Sequence, residues 1–185
     1  MGFNVTPNSL QRIVSKEAML MNLYFRDNFF NAGVTEILNE QEENVGHIDL
    51  KSAFGSAIDV YGQNGQLLCK GHFPFFSNKW EVTGQGGELL GALRSRFALF
   101  TKKFSYETEG RGSYEITSPA FSREYEISDE SEIIASFRQV NGWFSSGAYL
   151  LNNQCDHLDT YELVAVIMGM HAIQKRHRDA ANSTT

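Results

Sequence analysis

The chain has 185 residues, 42% hydrophobic and 12% aromatic, which suits one domain with a substantial core. Acidic side chains outnumber basic ones by 22 to 16, a net charge of -6, which argues against general nucleic-acid binding and leaves any anionic partner to a local patch. Two cysteines, Cys69 and Cys155, have neither metal-ligand spacing nor enough company for a disulfide framework.

The N-terminal "MGFNVTPNSLQRIV" lacks a basic segment followed by an apolar run, so no signal peptide is read. Gly2 with Thr6 fits the loose myristoylation pattern, a short match that chance supplies often. The expected location is the cytoplasm, free or peripheral to a membrane. Next, "MLMNLYFRDNFFNAG" predicts one strand and a phenylalanine-bearing link. Residues 34–38 and 45–50 predict a hairpin around the acidic turn "NEQEEN", with Phe54 in the following link.

Four pieces then share one grammar. They are "AIDVYGQNGQLLCKGHFPFFSN", "KWEVTGQGGELLGALRSRFALFTK", "KFSYETEGRGSYEITSPAFSR" and "EYEISDESEIIASFRQVNGWFSS". Each opens on an alternating strand (Ile58/Val60, Trp80/Val82, Phe104/Tyr106, Tyr125/Ile127) and passes through a polar turn, usually glycine-rich. Each continues into a second strand (Leu67/Leu68, Leu89/Leu90, Tyr114/Ile116, Ile133/Ile134) and closes on an aromatic link (Phe75, Phe97, Phe121, Trp143 with Phe144). Residues 148–151 supply one strand more, for a total of about twelve short strands at a period of about 22 residues. A strictly local up-and-down series of this kind suggests a closed barrel.

The last segment, "YELVAVIMGMHAIQKRHR", contains an uncharged run over residues 163–170 that covers every side of a helix. Such a helix must be buried all round. Its apolar length, about 16 Å, is roughly half of what a membrane span needs. A barrel of about twelve strands is too wide for side chains alone to fill, and one helix is about 10 Å across. The two features explain each other. The reading is a mainly β fold with one central helix: an antiparallel closed β-barrel of about twelve strands enclosing the hydrophobic C-terminal α-helix over residues 159–177. Asp159 or Thr160 would cap it, the cations of residues 175–178 would leave at the far mouth, and Gly169 would permit a close approach from the wall. One domain spans 1–185, with its core at about 20–178 and flanking segments 1–19 and 179–185.

The repeated hairpins, "GHFPFFSNKWEV", "RSRFALFTKKFSYE", "YEITSPAF" and the terminal "YELVAVIMGMHAI" together resemble the tubby C-terminal-like superfamily, and within it the LURP-one-related proteins of plants and bacteria. The resemblance covers residues 20–178. It implies the helix-filled barrel, and it points toward lipids, because the group includes the phosphatidylinositol bisphosphate-binding tubby domain and the phospholipid scramblases. Fold likeness does not itself carry activity across. The chain departs from its membrane-active relatives in having a short terminal helix, no cysteine-rich acylation segment and no loop with EF-hand spacing.

No nucleophile elbow, zinc-protease helix or phosphate-binding loop is present, and no cofactor or metal is called for. The histidines lie far apart in sequence. His171, which interrupts the buried helix, reads as a hydrogen-bonded histidine at one mouth, and "CDH" at 155–157 reads as the loop leading into the helix. The densest basic patch is "RSRFALFTKK". Arg94 and Arg96 face the same way on a strand, Lys102 and Lys103 follow an aromatic link, and the four suit an anionic headgroup with an apolar edge at Phe97, Leu99 and Phe100. The same residues also suit a solvated outer face. The functional expectation is a non-enzymatic binding module for an anionic phospholipid, a phosphoinositide-like ligand or a protein partner, with no nucleic acid and no transmembrane span. The alternatives are an enzyme with a small site at a barrel mouth near His171 and His157, and a purely structural scaffold.

Overall fold

Strand alternation governs the architecture. Along "AIDVYG" every second residue is buried, and the same period runs through "WEVTG" and the stretch "SYEITS". In the computed structural model, which describes residues 21–31, 33–51, 56–96, 101–119, 122–130, 132–141 and 147–183, these segments close into one barrel. The strands are β1 (Asn22–Phe25), β2 (Gly33–Leu38), β3 (Asn44–Leu50), β4 (Ala57–Gly62), β5 (Leu67–His72) and β6 (Trp80–Gly84). They continue as β7 (Leu89–Arg96), β8 (Thr101–Thr108), β9 (Gly112–Pro119), β10 (Tyr125–Asp129), β11 (Glu132–Val140) and β12 (Ala148–Asn153). Each pairs antiparallel with its chain neighbours, and β1 closes the ring on β12 through registers such as Leu23 with Leu151. The expected twelve-stranded closed barrel is the observed one.

The turns follow from local chemistry. In "GQNG" and "GQGG" the last glycine sits at φ +72° and +85°, conformations that a side chain resists, at Gly65 and Gly87. Asn39 opens the acidic turn by accepting hydrogen bonds from the backbone N–H groups of Gln41 and Glu43, both at 2.9 Å. Register shifts recur in β2, β4, β6 and β10, each near the hairpin turn. Bulges of this kind raise local twist and help a sheet curl.

The helix α1 (Thr160–Asn182) fills the interior. Asp159 caps it by accepting from the N–H groups of Tyr161 and Glu162 at 2.8 and 3.2 Å. Every residue from 160 to 170 is buried. The helix extends past the expected end at residue 177, because Arg178, Asp179, Ala180 and Ala181 contain nothing that breaks a helix.

The plug is off-centre. The backbone of α1 runs closest to β4, β5, β6 and β7, where the inward positions include the small Val60, Cys69, Gly71, Val82 and Gly91. The opposite wall carries Phe25, Phe137 and Tyr149, with Phe29 and Phe30 behind them, in ring contacts of 4.4 to 6.3 Å. One helix plus one aromatic cluster therefore fill the interior. Trp80, fully buried, ties the helix to the near wall. Its indole N–H donates to the Ala165 carbonyl at 3.1 Å, and its ring lies between Gly71 of β5 and Gly169 of α1. The close approach expected at Gly169 is thus made by the Trp80 ring. No described helix is long and apolar enough to cross a membrane, a statement that says nothing of strands.

Candidate functional site

Two mouths differ in chemistry. At the entry mouth, where α1 begins, the one charged residue of the buried helical stretch, Glu162, is satisfied by the wall. Arg111 grips its carboxylate with two nitrogens at 2.7 and 2.9 Å, and the Tyr106 hydroxyl donates to it at 2.5 Å. Burial first, then the Glu162 charge, pushes the Tyr106 phenol far above its usual range. Arg111 also donates to the Leu90 and His157 carbonyls, so this cluster pins α1 to the wall. The sequence reading passed over Glu162. The signal was a lone carboxylate two residues inside an otherwise apolar helix, which must find a cation.

The exit mouth is cationic. A cavity of about 760 Å³ is lined by Lys79, Arg94, Arg96, Lys102, Lys103 and His177 together with Ser, Asn, Thr, Gln and Phe104 side chains, and by no carboxylate among the described residues. All four cations of the sequence patch border it. Pairing of β7 with β8 sets Arg96 directly opposite Lys103. Those two lie on the outer face and are partly neutralised, Arg96 by Glu107 at 3.1 Å and Lys103 by Glu115 at 3.1 Å. Lys79 is likewise paired, with Glu81. Arg94, on the same face as Arg96, has no ion-pair partner among the described residues.

Lys102 differs from its neighbour because adjacent strand residues point oppositely. It shares the inward side with Phe104, is half-buried, and donates to the Ser122 carbonyl at 2.7 Å. Burial first, then Arg178 and Arg123, hold its ammonium below the usual lysine range. His171 lies deeper in the same mouth. Burial first, then Arg123, Arg178, Lys175 and Lys102, push its imidazole down to about 4. Among the described residues His171 stacks on the Phe30 ring at 4.6 Å rather than finding the expected hydrogen bond, and Arg123 lies over that same ring at 5.4 Å. This mouth collects positive charge from β7, β8, the β9–β10 link and the emerging helix.

The rim between β5 and β6 completes the site. Ser77, Asn78 and Lys79 line the cavity. Arg176 of α1 donates to the Ser77 carbonyl at 3.0 Å and lies over the Phe73 ring at 4.6 Å. Phe75 lies in the link between β5 and β6, as expected, and is 88% exposed, and Phe76 is 93% exposed. The links at Phe54, Phe97, Phe121, Trp143 and Phe144, the apolar edge at Leu99 and Phe100, and Gly2 with Thr6 fall outside the described residues.

His157 and His171 stand at opposite ends of the buried helix, about 20 Å apart at the helical rise, so no single mouth site contains both. Cys155 to His157 form the loop into α1, and no group of three metal-ligating side chains exists among the described residues.

No family model matches the chain. No curated protein matches it either. It is similar to an Arabidopsis thaliana protein solved by X-ray crystallography, at 10% identity and a TM-score of 0.60 over 87% of this chain and 95% of that one. At that identity the likeness is one of fold, and it extends over nearly all of both chains.

Proposed function

We propose that the protein is a non-enzymatic binding module that takes a phosphate-bearing anion at the exit mouth, in the cytoplasm. The carrying observation is the cavity of about 760 Å³ bordered, among the described residues, by five lysine and arginine side chains and no carboxylate, in a chain of net charge -6. Its size suits a headgroup-sized ligand. Arg94 and Lys102 supply charge that no acidic neighbour cancels among the described residues, and the depressed lysine gains most from an anion beside it. The sequence resemblance to the LURP-one-related and tubby-like group points the same way. A scaffold would have no use for the two cations, Arg94 and Lys102, that face this cavity without an acidic partner among the described residues.

Inositol hexakisphosphate, titrated calorimetrically at low and physiological salt, is a suitable probe. The wild type should bind it saturably and more weakly as salt rises. Arg94→Glu/Lys102→Glu should weaken binding by well over tenfold, at about 1 kcal/mol for each cation lost and more for each reversed, while circular dichroism stays unchanged. Equal binding by the folded variant would show that these residues are ordinary surface.

A further inference from the structure

We propose that the Phe75–Phe76 turn is a membrane-insertion element, which enters an anionic phospholipid bilayer beside the cationic cavity and makes a lipid headgroup, rather than a free phosphate compound, the source of the bound anion. The inference rests on the reading of that cavity as an anion site.

Four large hydrophobic side chains are exposed among the described residues, Val34, Phe75, Phe76 and Ile133. Two of them are adjacent in one tight turn, with ring centroids 4.1 Å apart. The turn is held in this shape. The Ser77 N–H donates to the Pro74 carbonyl at 3.1 Å, and the Lys79 N–H donates to the Ser77 hydroxyl at 3.1 Å. Phe76 sits at φ +56°, in the left-handed region that bulky residues rarely enter. Behind the tip, Phe73 packs edge-on against Trp80 at 5.1 Å and lies under the Arg176 guanidinium. The turn is thus anchored to the core at its base while both rings face water at its tip. Aromatic side chains free to collapse onto a barrel rim would do so, and here the anchored backbone prevents it.

Position selects the occupant. The residues following the tip, Ser77, Asn78 and Lys79, are themselves lining of the cationic cavity, so rings and cations share one rim. Exposed Arg176, His177 and Arg178 of α1 emerge at the same mouth. A protein partner at a stable interface covers roughly 800 Å² on each side. Two rings at about 150–250 Å² each, on a convex tip surrounded by charge, present less than that. A bilayer needs no complementary pocket. Its acyl boundary accepts the rings while its phosphates meet the cations, the pairing of apolar burial and charge that holds peripheral proteins on anionic membranes. A small soluble anion would make no use of the rings.

The test compares phosphatidylcholine vesicles with and without phosphatidylserine, by flotation, for the wild type, Phe75→Ser/Phe76→Ser and Phe76→Trp. The wild type should float with the anionic vesicles only. The double serine variant should retain calorimetric binding of inositol hexakisphosphate yet lose vesicle affinity by roughly a hundredfold, about tenfold for each ring withdrawn from the boundary. The new indole of Phe76→Trp should shift its emission to the blue on those vesicles and be quenched by brominated acyl chains. Undiminished flotation of the serine variant, or an indole that brominated lipid does not quench, overturns insertion and leaves the anion site standing. Wild type that binds the soluble probe but ignores both vesicles overturns it as well, and a protein partner for the turn then takes its place. Failure to bind even the soluble probe overturns the anion site itself.

Discussion

His171 shows how much a single side chain can depend on its surroundings. It faces Arg123, Arg178, Lys175 and Lys102, with Phe30 against its ring, and is pushed from 6.5 down to about 4. The folded state therefore binds fewer protons than the unfolded chain between those values. Stability from this group is fully present above about pH 6.5 and is lost as pH falls toward 4, a swing of ~3 kcal/mol. His171→Gln removes this titration. The melting temperature of the wild type should accordingly fall more steeply from pH 7 to pH 4 than that of the variant, and parallel curves would refute the assignment. The sequence exposed His171 as the polar break in an apolar helix, but not its partners. Phe30 and Arg123 lie 141 and 48 positions earlier and meet it only because the barrel closes. The four patch cations were visible for a simpler reason: strand period and a two-residue spacing fix the faces of Arg94 and Arg96 without knowledge of the rest. The pairing of Arg96 with Glu107 and of Lys103 with Glu115 depends on cross-strand register, which one strand alone does not carry.

β6 and α1 meet closely at the Trp80 ring. A Cβ placed on Gly169 would stand 2.4 Å from the Trp80 ring, and one on Gly71 would stand 2.5 Å from its other side. The indole cannot move away, since its N–H is bonded to the Ala165 carbonyl. Gly169→Ala gains up to about 1 kcal/mol of helix propensity but overpacks the seam at a cost of about 1–3 kcal/mol. The net effect should be a loss, with the melting temperature falling by about 2–4 °C for each kcal/mol in a chain of this size. Adding Trp80→Phe should return part of that loss. A more stable Gly169→Ala protein would contradict the sandwich. The hairpins were legible because alternation and glycine turns are local signals, repeated often enough to be counted. The links were not. Phenylalanine in a link carries no period that assigns it a face, and Phe75 and Phe76 are held outward by a turn whose shape the composition does not announce. The asymmetric filling was also hidden, because small residues on β5 and β7 acquire meaning only beside the helix that lies against them.

For the whole molecule, wall and filling are separate parts of one chain. Deleting residues 158–185 removes α1 and leaves the inward row of Trp80, Val82, Leu93 and Tyr106 without a partner. The truncated protein should bind a hydrophobic dye strongly and aggregate on a sizing column, and a soluble dye-silent monomer would show that the barrel stands without its helix. The seam adds a constraint of order. Asn152 donates to Asn22 at 2.7 Å across a separation of 130 residues, so the ring cannot shut until β12 has been made. The helix comes later still. A chain made in this order would present an open sheet with two unpaired edges and a bare apolar lining until the helix, which follows every strand, is made. Long-range closure of this kind is slow and exposed to aggregation. The cell's task with this protein is thus one of timing: the lining must be kept from other chains until residues 160–173 arrive to cover it.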